Sequence, residues 1–200
     1  MSQIPLFPLP LVVFPGGILP LQIFEPRYLD MVRDCLRADE GFGVVMIREG
    51  DQVVRHAEQG VPTTSHMGTV CRIFDFDQKP NGMLAITARG ESRFVIRDAW
   101  EQDNRLLVGD VEFLPAEASK PLPEDHRHLA DLLAQFLEHE SVSGLGIEPD
   151  YDSALDVGMR LTELLPCDGE AKERLFEVRD PLARLRLLDK VINRMQGASD

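Results

Sequence analysis

The sequence predicts an α+β fold, in which a β-rich lobe of curled sheet or small barrel is followed by an α-helical bundle lobe. Three observations carry this. As far as Phe113 the apolar residues recur in short, often β-branched runs separated by turn chemistry. Between Leu114 and Asp125 the composition shifts, with Pro115, Pro121 and Pro123 among small and charged residues. Beyond that stretch the leucines fall at three- and four-residue steps. The expected domains are 1–117 and 118–200.

Met1 to Phe24 carry no charged side chain. A membrane helix needs about 20 helix-compatible residues, and Pro5, Pro8, Pro10, Pro15 and Pro20 interrupt this run. Each internal proline deletes a helical hydrogen bond and clashes with the preceding turn. No basic start marks a signal peptide either. The segment therefore reads as buried strands with a turn at Pro15-Gly16-Gly17, the second strand running from Ile18 to Phe24. Pro26 opens a helix carrying Tyr28, Leu29, Val32 and Leu36, because proline at the first helical position sacrifices only an orphan amide. Phe42 to Ile47 reads as a strand, and polar Glu49 to Ser65 as an excursion.

Thr69 to Phe76 and Met83 to Arg89 read as a hairpin around Pro80-Asn81-Gly82. Gly90 to Ser92 is expected to break the second strand, Phe94 and Ile96 to resume it, and Leu107 to Phe113 to add another. Six or seven strands in this span imply curling or closure. In the C-terminal lobe Leu129, Leu132, Leu133, Phe136 and Leu137 share a helical face, with Gly144 and Gly146 ending that element. A second helix is expected from about Asp150 to Leu165, a third capped by Asp168, and a fourth opening at Asp180-Pro181. Gly197 to Asp200 read as a loose end.

With 34 acidic against 21 basic residues the formal net charge is −13. Phosphate backbones and anionic membranes are repelled on average by such a chain. Cys35, Cys71 and Cys167 form no close pair, which points to free thiols in a reducing cytoplasm. The lysines, Lys79, Lys120, Lys172 and Lys190, are never preceded by glycine, so the phosphate-cradling Gly-Lys-Ser/Thr loop is absent. No serine sits between glycines as a nucleophile elbow requires; Ser92 has Gly90 before it and Phe94 after it. His139-Glu140 begins a zinc-protease motif whose second histidine position holds Ser143. His126 and His128, two apart, are expected on different sides of a helix. Asp150 and Asp152 begin like a calcium loop but lack its glycine and closing glutamate, so helix capping accounts for them. No catalytic residue, metal or cofactor is expected.

The most specific residues are Ile4-Pro5-Leu6-Phe7-Pro8-Leu9 and the run Phe14-Pro15-Gly16-Gly17-Ile18-Leu19-Pro20-Leu21-Gln22-Ile23-Phe24-Glu25-Pro26-Arg27-Tyr28. They are followed by Phe42-Gly43-Val44-Val45, Gly68 to Ile73, Asn81-Gly82, Ala88 to Phe94 and Asp180-Pro181-Leu182-Ala183-Arg184-Leu185. This pattern resembles the N-terminal substrate-binding domain of Lon proteases, especially its free-standing bacterial versions, over almost the whole chain. The resemblance implies a PUA-like pseudo-barrel lobe before the helical lobe. In full-length Lon the ATPase and serine-lysine protease modules follow this region, and neither is expected here, so no catalytic residue is carried over.

On this resemblance the chain is a non-catalytic, cytoplasmic module for unfolded or extended polypeptide or a protein partner, with a quality-control adaptor role in view. RNA binding, common among PUA-like barrels, is the alternative; the net charge opposes it. Phe24, Glu25, Arg27 and Tyr28, with Arg89, Glu91 and Arg93, are the candidate peptide-binding corner. Phe24 and Tyr28 are also expected to fill core, and Glu25 and Arg27 to hydrogen-bond across the corner.

Overall fold

The charge-free opening folds as two strands, β1 (Ser2–Leu9) and β2 (Ile18–Ile23), joined through a tight turn in which the Gly17 amide donates to the Phe14 carbonyl (2.9 Å). Gly16 sits at φ 80°, the position a type II turn after proline reserves for glycine. The computed structural model describes residues 2–50, 62–78 and 83–197, in two units, Met1–Pro115 and Ala116–Asp200. The Asn81-Gly82 turn and most of the polar excursion lie outside the described residues.

In the first unit, α1 (Pro26–Ala38) follows β2, and then come β3 (Phe42–Glu49), β4 (Thr63–Gln78), β5 (Leu84–Glu101) and β6 (Leu107–Phe113). The sheet order is β2-β5-β4-β3-β1-β6, and β5 also pairs with β6. Strands β5, β4, β3, β1 and β6 thus close into a ring of pairings, with β2 attached outside it. Among the described residues only β1 and β3 pair in parallel, as a connection through β2 and α1 permits.

Neighbouring residues on β1 and β3 divide between the sheet faces. Phe7 and Val44 join a core with Tyr28, Met31 and Val32 of α1, whereas Leu6 and Val45 join Phe94, Leu107 and Val111 on the other side. Side-chain period two explains this, and residues 6–9 are all buried because both faces are covered. Phe94 fits because Gly43 and Gly68 face it: a Cβ on either would lie 2.7 or 2.6 Å from its ring.

Two expectations about these strands change. Strand β4 begins at Thr63, not Thr69, and Ser65 is buried in it. Strand β5 runs unbroken through Gly90 to Ser92, because Gly90 serves a close backbone approach: its amide donates to Gly17 O (2.9 Å) and its carbonyl accepts from Gly16 N (2.8 Å).

The second unit contains a 3₁₀ turn, Glu124–His126, then α2 (Arg127–Glu138), α3 (Glu140–Ser143), α4 (Ala154–Leu164), α5 (Gly169–Glu177) and α6 (Pro181–Gly197). Leu129, Leu133, Val157, Leu161, Leu175, Leu185 and Leu188 form its buried core. The first helical element ends at Glu138, where His139 becomes the N-cap of short α3, earlier than the glycines predicted. The Asp168 carboxylate caps α5 at Ala171 N (2.7 Å) and Asp180 caps α6 at Ala183 N (2.8 Å), as the sequence implied. Capping of α4 falls to Ser153 instead, because the Asp150 carboxylate is turned to Asp152 N (3.0 Å). No described helix is long and apolar enough to cross a membrane.

Candidate functional site

The strand-to-helix corner is built from its own sequence. Glu25 starts α1 with its backbone carbonyl, which accepts from Tyr28 N and Leu29 N (both 3.0 Å), and Pro26 occupies the first helical turn. That leaves the Glu25 carboxylate free of capping duty, and it pairs with Arg27 at 2.9 Å. Arg27 also donates Nη1 to the Arg105 carbonyl (2.8 Å) and lies 4.5 Å from the Tyr28 ring centre. Arg105 has φ 67°, a left-handed conformation costly for a side-chain-bearing residue, so Arg27 pins the β5–β6 turn.

Tyr28 fills core against Phe7, ring centres 4.0 Å apart, but Phe24 does not: it is 56% exposed. Ile23 takes the inward place at the end of β2, and the next residue turns out. Burial, with a smaller contribution from Glu25 and opposed by Arg27, pushes the Tyr28 hydroxyl up to about 12. A group that ionises at higher pH when folded stabilises below the unfolded value, and that stability is lost as pH rises through the folded one. Between pH 10 and 12 the protein is therefore expected to lose roughly 2–3 kcal/mol through Tyr28. Urea titrations should show a shallower loss over this window for Tyr28→Phe than for the wild type.

Arg89, Glu91 and Arg93 do not join that corner. On the β2–β5 ladder Ile23 opposes Leu84 whereas Arg89 opposes Ile18. Five residue steps, roughly 17 Å of extended chain, separate the two levels. Arg89 is exposed with its guanidinium 5.1 Å from the Phe74 ring centre. Glu91 binds Arg72 Nε (2.7 Å), and Arg72 also pairs with Asp39 (3.0 Å). Arg93 is buried, 5.7 Å from the Phe14 ring centre. The cleft beside Glu91 is lined by Glu40, Gly41, Arg72, Ser92 and Phe113 among others, and its lining among the described residues includes no histidine to activate Ser92. Burial raises the Cys35 thiol to about 11, away from thiolate chemistry at neutral pH.

A feature missed in the sequence lies beside Arg89. Among the described residues, 72–78 of β4 pair only with β5, since the β3 ladder stops at Cys71. With β2 and residues 84–89 of β5 they form a three-stranded segment with an open edge on each side among the described residues. Phe74 and Phe76 stand in it 54% and 60% exposed. A register shift between Ile73 and Asp75 breaks the regular alternation at Phe74, a feature that the reading of Thr69 to Phe76 as one arm of a hairpin did not contain. Pro20 and the exposed Asp75 and Asp77 lie at the open edges, chemistry that discourages edge-to-edge pairing of whole sheets.

Comparison with known proteins agrees with the resemblance. The family model of the ATP-dependent protease La (LON) substrate-binding domain matches residues 3–194. The chain is 27% identical over 198 residues to Lon protease 2 of Myxococcus xanthus, covering 92% of this chain and 22% of that protein. It is 27% identical over 139 residues to protein cereblon of Danio rerio, 64% of this chain and 31% of cereblon. The chain thus spans about a fifth to a third of the lengths of these relatives. Among solved structures, the Lon N-terminal domain protein from Xanthomonas campestris superposes with a TM-score of 0.74 at 36% identity, over 94% of this chain and 97% of that one. The chain belongs to the ATP-dependent protease La (LON) substrate-binding domain family.

Proposed function

We propose that this protein is a non-catalytic recognition module that binds unfolded or extended polypeptide, in the manner of a quality-control adaptor in the cytoplasm. The observation that carries the reading, beside the family, is the three-stranded segment with open edges and the half-exposed Phe24, Phe74 and Phe76. Exposed apolar side chains on a sheet with unpaired edges suit an extended chain, which adds main-chain hydrogen bonds at an edge and buries its own apolar groups. In this reading the ring of strands is the PUA-like pseudo-barrel that holds the segment rigid. The Glu25–Arg27 pair fixes the corner next to Phe24 and does not itself grip the client.

Fluorescence anisotropy with a labelled, permanently unfolded client such as reduced carboxymethylated lactalbumin tests this. Saturable binding is expected, weakened about tenfold or more in Phe74→Ser/Phe76→Ser. Since both rings are more than half exposed, the thermal midpoint of the variant should stay close to wild type. No saturable binding to a set of unfolded clients, or undiminished binding by the variant, refutes the assignment. Tight RNA binding that weakens steeply with salt would favour the alternative.

A further inference from the structure

The register of the three-stranded segment sets which client chemistry it suits. Directly opposed residues of an antiparallel pair share a face. Ile73 opposes Ala88, Phe76 opposes Ile86 and Gln78 opposes Leu84. Ala88 and Ile86 belong to the buried core, with Ile73 and Leu84 packed against it. Phe76 therefore stands on the core side of the sheet, yet it is 60% exposed, because no strand lies beyond it among the described residues. Asp75 opposes Thr87 and Asp77 opposes Ala85, on the other face. Both carboxylates are exposed, and Asp75 makes no ion pair among the described residues. The cations of that face are engaged elsewhere: Arg72 is matched by Glu91 and Asp39, and Arg89 lies against the Phe74 ring.

Of the two open edges, that of β4 is the better suited to take another strand. Pro20 in the middle of β2 has no amide hydrogen to offer, whereas 72–78 contain no proline. A second copy of the same edge would bring Asp75 and Asp77 against like charges, which is destabilising across a ladder. An extended chain with cations at those places is attracted instead. Its side chains alternate between the faces, as those of β4 do from Asp75 to Gln78, so apolar residues come beside Phe76 when basic ones come beside Asp75 and Asp77. The net charge of −13 draws such a segment in from a distance.

Resting on the polypeptide-binding reading above, we infer that the β4 edge at 72–78 selects client segments in which apolar and basic residues alternate. Segments that alternate apolar with acidic residues are repelled by Asp75 and Asp77, and segments with the same residues in blocks cannot satisfy both faces at once.

The test titrates the full chain into short labelled peptides: valine alternating with lysine, valine alternating with glutamate, and the valines and lysines of the first peptide in two blocks. Carboxymethylated lactalbumin is measured beside them by the same anisotropy. The valine-lysine alternation is expected to bind about tenfold or more tighter than either other peptide, with its advantage over the glutamate peptide shrinking as salt rises. Asp75→Asn/Asp77→Asn, which alters two exposed side chains, should bring the alternating and blocked lysine peptides within about threefold of each other and leave lactalbumin binding within about threefold of wild type. Lactalbumin binding that Phe74→Ser/Phe76→Ser weakens, together with equal affinity for the three peptides or a preference that the aspartate variant keeps, overturns this inference and leaves the polypeptide-binding reading standing. No binding of any client removes both. A dimer in sedimentation that Phe76→Ser dissolves places a second copy of the chain on this edge and also overturns the inference.

Discussion

Replacing Glu117 by alanine is expected to cost about 3–5 kcal/mol of stability, because it strands a buried charge. Arg184 is fully buried in α6 and donates Nη1 and Nη2 to the two carboxylate oxygens of Glu117, at 2.9 and 2.8 Å. Its Nε donates to the Leu175 carbonyl (3.2 Å) and Nη2 also to the Val178 carbonyl, both at the end of α5. The pair therefore ties the chain before the bundle to two of its helices. A buried ion pair need not exceed an apolar pair in net stability, since desolvation offsets its attraction, but removing one partner leaves the other uncompensated. Urea unfolding followed by dichroism should show the loss for Glu117→Ala, while Glu117→Met/Arg184→Met recovers a large part of it. A loss below about 1 kcal/mol in the single variant would mean that water reaches the guanidinium.

Gly90→Val is the second large effect, expected at about 3 kcal/mol or more. A Cβ at Gly90 would stand 2.2 Å from the Phe14 carbonyl oxygen and 3.0 Å from its carbon. These are backbone atoms, so no rotamer change relieves the clash. The turn Phe14 to Gly17 must move, and with it the two hydrogen bonds that join it to Gly90. Since β2 continues from that turn, the variant is also expected to loosen the edge strand next to the exposed phenylalanines. Hydrogen exchange resolved by fragment should show faster exchange in 18–23 than in β3. Unchanged exchange in β2 together with wild-type stability would refute the account.

The two cases show how far the sequence could be read. Gly90 stood out as punctuation within a strand, and a break was the local reading. Its actual role depends on which segment lies across from it. Arg184 stood in a recognisable run beginning Asp180-Pro181, yet its partner is 67 residues away in a stretch read only as a proline-containing boundary. The corner residues divide in the same way. Glu25, Pro26, Arg27 and Tyr28 interact within three residues of one another and were legible, whereas grouping them with Arg89 to Arg93 failed because strand register set the spacing.

What the sequence determined by itself was therefore local: the Pro15-Gly16 turn, the proline that opens α1, the caps at Asp168 and Asp180, the change from period two to helical period, and the family. Such features depend on steric limits and hydrogen bonds within a few residues. Tertiary structure decided the ring of strands, the outward placement of Phe24, Phe74 and Phe76, the Glu117–Arg184 pair and the contacts of both His126 and His128 with Asp189, where different sides of a helix were expected. Each requires distant segments to meet in one register, and that is set by the simultaneous burial of two sheet faces and a helical core, which no short window of sequence contains.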